Sequence, residues 1–185
     1  MKLHLGCGDI YLDGYINIDV KGTMIEKATN SEYDNNKTTL DNYFKHPFGS
    51  PRRPIIVDLQ MYLNRSWVSW IIDIEQIIMI SCLEHFTKNE GLFIISEIQR
   101  VLRIGGELIV SFPDIASQIE AFYYTKPNWC MELIYCNGKN EFSFHKWGYT
   151  DRTFRELWND NYLIERIDLI KHEYPMLQYK VTKLK

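Results

Sequence analysis

The decisive stretch is Lys2-Leu3-His4-Leu5-Gly6-Cys7-Gly8 (KLHLGCG), taken with Tyr15-Ile16-Asn17-Ile18-Asp19-Val20 (YINIDV). Lys2 to Leu5 reads as a short strand that runs straight into two glycines one residue apart. In YINIDV, Tyr15, Asn17 and Asp19 alternate with Ile16, Ile18 and Val20, and that period of two predicts a second strand with one buried face. Ile55 to Leu59 (IIVDL) is β-branched and apolar in the manner of a strand buried on both faces. A fourth strand lies within Ile74 to Cys82, and a fifth runs from Leu108 to Phe112 and is closed by Pro113. Tyr162 to Ile170 is a sixth. Leu177 to Leu184, where Leu177, Tyr179 and Val181 alternate with polar residues, is a half-exposed seventh.

Helices fall between these runs. Thr87-Lys88-Asn89-Glu90 has the hydroxyl and carboxylate of a capping box. Behind it Leu92, Ile95, Ile98 and Leu102 lie near one face, and Gly105-Gly106 is a natural stop. Asp114 caps a helix through Tyr124, and Thr150 caps one carrying Phe154, Leu157 and Trp158. A short helix fits Leu40 to Lys45, and a poorly periodic one Met61 to Ile72. The rest of Lys21 to Pro54 has no pattern and is too long for a mere connection. Residues 125–149 read as irregular. Strands separated by helices predict an α/β fold with a parallel sheet covered on both faces. The last two strands, only a few residues apart, pair antiparallel.

At 185 residues the chain is expected to form one domain, residues 1–185, able to bury roughly 70% of its unfolded surface without disulfides or metals. With 45% hydrophobic and 24% charged residues it is not a disordered chain. Lys plus Arg is 21 against 24 Asp plus Glu, a net charge of −3, so no nucleic-acid partner gripped through phosphates is expected. No membrane span is expected: the most apolar stretch, Val68 to Leu83, is broken by Asp73, Glu75 and Gln76, short of the ~20 apolar residues a helix needs. The N-terminus begins as a strand, with no signal peptide expected. Cys7, Cys82, Cys130 and Cys136 form no CxxC pair and read as reduced thiols of a cytoplasmic protein. His4, His46 and His172 have no ligand spacing with each other or with the cysteines, so no metal is expected.

In a parallel sheet the ligand sits at the carboxyl ends of the strands, where their order reverses. After the first strand, Gly6-Cys7-Gly8 lets the backbone approach a ligand closely, or serves as a plain tight turn. The dinucleotide fingerprint needs a third glycine where Tyr11 stands, which disfavours a nicotinamide cofactor. Asp19, at the second strand's end, can accept from ribose hydroxyls or stand solvated. Asp58 can accept from an exocyclic amine while Leu59 packs on a ring, or Asp58 can act as the N-cap of a helix after it. Ser81-Cys82-Leu83-Glu84-His85-Phe86 puts a Glu-His pair at the mouth of the site, as a general base and substrate contact or as support for the following helix. The segment from His145 to Thr150, with Trp147 and Tyr149, is either a lid or an aromatic cluster under a loop.

The ordered set LHLGCG (Leu3 to Gly8), GYINID (Gly14 to Asp19), Val57-Asp58-Leu59, LEHF (Leu83 to Phe86), EIQRVLRIGG (Glu97 to Gly106) and ELIVSFP (Glu107 to Pro113) resembles class I S-adenosylmethionine-dependent methyltransferases. It is most similar to small bacterial members with an LGCG first motif, and the likeness spans nearly the whole chain. The resemblance implies a Rossmann-like three-layer sandwich with a seven-stranded sheet in the order 3-2-1-4-5-7-6, strand seven antiparallel. It implies S-adenosylmethionine as cofactor, held by Leu5, Gly6, Cys7, Gly8, Asp19, Asp58, Leu59, Ser81, Cys82 and Leu83. His85 would be the catalytic residue facing the methyl group, with Glu84, His145 and Trp147 at the substrate. The expected function is methyl transfer to O or N of a small-molecule or glycan-type acceptor. The competing reading is a non-catalytic member that binds a nucleoside ligand or a protein partner.

Two features depart from the wider pattern. His4 stands where many members carry a carboxylate, two residues before the first glycine. The link from Gly8 to Tyr15 is shorter than the dozen or so residues of an ordinary parallel crossover, so the first crossover is shortened and Lys21 to Pro54 is the candidate to cover it.

Overall fold

The chain is described here from a computed structural model, which defines residues 1–45, 54–136 and 142–185. Seven strands form one sheet: β1 (Lys2–Leu5), β2 (Ile16–Asp19), β3 (Leu59–Gln60), β4 (Ile74–Ile80), β5 (Leu102–Pro113), β6 (Tyr162–Arg166) and β7 (Met176–Lys183). Their order is β3-β2-β1-β4-β5-β7-β6. All neighbours are parallel except β7, which is antiparallel to both β5 and β6. The order reverses between β1 and β4, so a crevice opens beyond their carboxyl ends.

The two faces of the sheet bury alternate residues. Leu3, Leu5, Ile77, Met79, Leu108 and Val110 face the core beneath α3 (Lys88–Val101) and α6 (Asp151–Arg155), where they meet Ile94, Ile95, Ile98 and Phe154. The capping box at Thr87 and Glu90 is present, and it fixes where α3 begins. This helix ends at Val101 rather than at the glycines, because the backbone turns extended at Leu102 and pairs there with Ile74. Ile78, Ile80 and Ile109 face the other way, onto Ile10, Leu12, Tyr43 and Ile170.

That second face shows how the short link from β1 to β2 is covered. The link holds only the two-residue strand Tyr11–Leu12, which pairs parallel with Lys37–Thr38. The paired segment belongs to the long insert, which forms α1 (Asn30–Asn36) and α2 (Leu40–Lys45). Helix α2 was expected; α1 was not, although Thr29 and Glu32 make a capping box for it. Tyr43 of α2 packs on His4, with ring centroids 5.5 Å apart. His4 is thus a core residue on this face.

Two other segments differ from the sequence expectation. Met61 to Ile72 forms no helix. Its apolar residues lack a 3.6 period, and Trp67 is held instead by its ring N–H on Leu63 O and its backbone N–H on Glu97. Within the stretch read as irregular, α5 (Pro127–Tyr135) forms; a proline in the first turn has no N–H to leave unpaired. Helix α4 (Ile115–Phe122) follows the Asp114 cap as expected. Among the described residues no helix is long and apolar enough to cross a membrane. His46 lies outside the described residues.

Asn17 ties β1, β2, the short link and the approach to β3 together. Its fully buried amide oxygen accepts from His4 Nδ1 at 3.0 Å and Leu12 N at 2.8 Å. Its amide nitrogen reaches Leu12 O at 3.0 Å, Tyr15 O at 3.1 Å and Asp58 Oδ2 at 3.2 Å, while its backbone N–H donates to Asp58 Oδ2 at 2.7 Å. Replacing Asn17 by the isosteric leucine strands the groups its side-chain amide pairs, and the loss is expected to be on the order of 3 kcal/mol or more in urea unfolding. A loss under about 1 kcal/mol would show that Asn17 is not the joint.

His4 supplies a pH signature for the same joint. Burial lowers its pKa from 6.5 to about 4. As pH falls from 6.5 toward 4 the unfolded chain takes up a proton that the folded chain refuses, so stability falls by up to ~3 kcal/mol. His4→Asn keeps a donor for Asn17 and removes the titration. The wild type's advantage over His4→Asn should therefore shrink between about pH 7 and pH 4.5, and parallel stability curves would show that His4 is not held neutral.

Candidate functional site

A cavity of about 510 Å³ opens at the carboxyl ends of β1, β2 and β4, within the range of small-molecule sites. Gly6, Asp19, Ser81, Cys82 and His85 line it, as the sequence suggested. Val20, Met61 to Arg65, Phe86, Phe142 and Lys146 complete the wall. The remaining candidates stand behind this lining. Leu5, Cys7, Leu83 and Glu84 are buried, and with Gly8, Asp58, Leu59, His145 and Trp147 they do not form the cavity surface.

The turn after β1 is built by close approach. Gly6 adopts φ +61°, and a β-carbon there would stand 2.2 Å from Cys82 Sγ at the end of β4. Cys7 N donates to Ile18 O at 3.1 Å, and Gly8 N donates to Asp19 Oδ2 at 3.0 Å. Asp19 Oδ1 accepts from Val20 N at 2.7 Å. The carboxylate is thereby fixed at the cavity wall, with acceptor capacity left on its oxygens. Burial, with Asp19 and then Asp58 nearby, pushes the Cys7 thiol well up; burial, then Glu84, does the same to Cys82. Both are inert packing thiols, not nucleophiles.

Asp58 stands one step back. Tyr11 Oη donates to its Oδ1 at 2.7 Å, and Asn17 occupies Oδ2 twice. That leaves one acceptor position, on Oδ1. The surface that fronts the cavity here is Met61 to Arg65, the start of the stretch whose sequence suggests a poorly periodic helix. Its run of Asn64, Arg65 and Ser66 shortly after a buried strand was the available signal for a site loop. Asn64 donates to Glu90 Oε1 at 2.6 Å, and its Oδ1 is buried without a partner. Ser81 Oγ is likewise buried without a partner, and Ser81 sits at φ +48°. Both residues line the cavity. Strained backbone and unpaired polar atoms concentrated at one cavity mark a binding site better than either does alone.

Beyond β4 the chain makes a single 3-10 turn, Leu83–His85. The Glu84 carbonyl accepts from Lys146 N at 2.8 Å and Trp147 N at 3.3 Å, which fastens the segment after α5 against this turn. His85 and His145 are consequently face to edge, with ring centroids 5.0 Å apart. His85 Nδ1 lies 3.0 Å from Phe144 O, and His145 Nδ1 3.0 Å from Leu133 O. A carbonyl only accepts, so each Nδ1 carries the proton and each Nε2 the lone pair. Burial lowers the pKa of His85; burial, then the neighbouring His85, lowers that of His145 to about 4. Glu84 is 3% exposed, its Oε2 has no partner, and burial raises its pKa to about 8. Trp147 is half-exposed under the Lys88 ammonium, 5.5 Å from its ring centroid.

No family model and no curated protein matches this sequence. Similarity to solved structures is clear. The N-methyltransferase NodS from Bradyrhizobium japonicum, in complex with S-adenosyl-L-homocysteine, aligns with 100% of this chain and 78% of its own, at 12% identity and a TM-score of 0.54. A SAM-dependent methyltransferase from Methanosarcina mazei aligns over 98% and 89%, at 16% identity and a TM-score of 0.54. The small RNA methyltransferase HEN1 aligns over all of this chain but 23% of its own, at 12% identity and a TM-score of 0.55. The likeness is one of fold: the sheet order, with its antiparallel seventh strand, is that of the SAM-dependent methyltransferase fold.

The two glycines of the turn separate strain from collision. Gly8, at φ +54°, has nothing within 4 Å of a β-carbon, so Gly8→Ala should cost about 1–2 kcal/mol from backbone strain alone. Gly6→Ala adds the clash with Cys82 and should melt several degrees below Gly8→Ala in thermal unfolding. Equal melting temperatures for the two variants would refute the close packing of the turn against β4.

Proposed function

We propose that the chain is an S-adenosylmethionine-dependent methyltransferase acting on a small molecule or a glycan precursor, by in-line transfer to oxygen or nitrogen. The observation that carries this reading is the cavity at the reversal point of the sheet, where Gly6, Asp19 and Ser81 converge. The residues present fit the cofactor. Asp19 offers an acceptor to ribose hydroxyls, and Met61, Leu63 and Phe86 offer apolar surface to an adenine ring. Arg65 and Lys146 are cations suited to a carboxylate, and the unpaired Ser81 and Asn64 atoms await hydrogen bonds. We assign Leu5, Cys7, Gly8 and Leu83 to the shell that shapes this cavity, Asp58 through its free Oδ1 position to the adenine amine, and Leu59 to the ring border.

When bound, the cofactor supplies an electrophilic methyl group on a sulfonium. The chain's own work is then placement and exclusion of water. His85 reaches the cavity as a neutral imidazole with a basic Nε2, placed to take a proton from an acceptor that must lose one. Glu84, His145 and Trp147 border the acceptor side, on a segment fastened to the end of β4. The protein acts in the cytoplasm as a single domain over residues 1–185; its four cysteines are free.

Calorimetric titration with S-adenosylhomocysteine tests the reading. The wild type should bind, and Asp19→Ala should weaken binding at least tenfold, a loss of ~1.4 kcal/mol or more. His85→Ala should keep binding and lose most turnover in a metabolite screen with a labelled methyl donor. No binding at roughly millimolar ligand would sink the proposal. Binding by the wild type with no labelled product from any acceptor would favour the non-catalytic reading.

A further inference from the structure

We propose that Glu84, His85 and His145 form a site for one divalent first-row transition ion, of which zinc is the type, at the acceptor end of the cavity. Each of the three offers a ligand atom, and these atoms lie within 4.8 Å of one another. Two imidazoles and a carboxylate are the donor set of a three-ligand catalytic site that leaves positions open. Magnesium and calcium, which prefer oxygen, fit it poorly.

Three observations make this a built site rather than a chance cluster. First, both imidazoles have the arrangement usual for metal-bound histidine: Nδ1–H is held by a backbone carbonyl, at 3.0 Å in each case, and the other nitrogen is left with its lone pair. Second, Glu84 Oε2 is buried and has no hydrogen-bond partner. A buried carboxyl oxygen left unpaired is costly, and a cation is the partner that would offset most of that cost. Third, the two ligand-bearing segments are fastened together. The Glu84 carbonyl accepts from Lys146 and Trp147, so His145 is held opposite the turn that carries the other two ligands.

Metal–nitrogen and metal–oxygen bonds of ~2.1 Å put ligand atoms about 3.4 Å apart across a tetrahedron. Side-chain rotation of an ångström or so closes the set from the observed spacing. His85 is the one ligand that also lines the cavity, so the open coordination positions fall beside the bound acceptor, and with the ion bound its Nε2 is a ligand in place of the base it is in the ion-free site. An alcohol oxygen bound there would be acidified and lose its proton to solvent before the methyl group is transferred, which points to an alcohol rather than an amine. This last step rests on the methyltransferase reading; the ion site itself does not.

The test is calorimetric titration of the full, chelator-treated chain with zinc chloride, and with cobalt(II) to read its visible absorption. One ion should bind per chain at micromolar Kd or tighter, with a cobalt spectrum of nitrogen and oxygen ligands and no thiolate band. Glu84→Gln and His145→Ala should each weaken zinc binding at least tenfold, while His172→Gln, at a histidine outside the cluster, should not. Glu84→Gln is isosteric, and a melting curve confirms that each variant is folded before titration. Zinc failing to bind the folded wild type at about 100 μM, or binding Glu84→Gln or His145→Ala as tightly as wild type, overturns the site. S-adenosylhomocysteine titrated into the same samples separates the two ideas. Zinc binding without the nucleoside sinks the methyltransferase reading alone, and the nucleoside without zinc sinks the ion site alone.

Discussion

The structure depends on a single buried amide. Asn17 lies on β2, opposite His4 of β1, in a pair of strands that a parallel crossover would ordinarily join through its own helix. Here the link is too short for one. Its side chain supplies the missing constraint by bonding His4 on β1, Leu12 and Tyr15 in the link, and Asp58 at the approach to β3. A hydrogen-bond network of this kind specifies one arrangement, because every alternative register strands a buried polar group. It also sets the site. Asp58 is held by Asn17, Asp19 lies two residues along the same strand, and the glycine turn is fastened to both β2 and Asp19. The long insert then supplies what the network cannot, apolar cover, by laying α2 over the bare face through Tyr43.

Much of the sheet was legible because a strand announces itself locally. Whereas the apolar run IIVDL is split, with Leu59–Gln60 joining the sheet beside β2 and Ile56–Val57 pairing instead with Thr23–Met24, the period of two in YINIDV needs no distant information. The same holds for α3, whose capping box stands in four consecutive residues. The capping box of α1, Thr29 to Glu32, is equally local, but the loop-like composition around it masks the signal. Other features were not local. Met61 to Arg65 became a cavity wall because Glu90 and Glu97 of α3 hold Asn64 and Trp67 in a turn and loop rather than a helix. No periodicity in that stretch could report partners about thirty residues away.

The Glu-His pair shows the same limit more sharply. Glu84 and His85 were visible as neighbours, and His145 as part of an aromatic loop, but nothing in the sequence joined them. The joining contacts are backbone hydrogen bonds from Lys146 and Trp147 to the Glu84 carbonyl, which any residue types could make. Metal-ligand spacing is readable among histidines and cysteines close in sequence, whereas here the two imidazoles meet across sixty positions. Spacing rules find sites on one helix or one loop; they miss sites assembled by a sheet end and an insertion.

That assembly bears on what decides the acceptor. The fold is shared with an N-methyltransferase and with a small RNA methyltransferase, so under the proposed activity the sheet alone would not name an acceptor. The cavity wall is made by Met61 to Arg65 on one side and, on the other, by the segment after α5 through Phe142 and Lys146. Behind that wall, Glu84 is the residue hardest to explain by packing. A leucine or methionine would fill the same volume without an unpaired oxygen, and burial raises the pKa of Glu84 to about 8. Stability would remove such a residue. Its presence beside two neutral imidazoles is understood if its carboxyl group is used there, and where sequence and packing disagree in this way the disagreement falls at the functional end of the molecule.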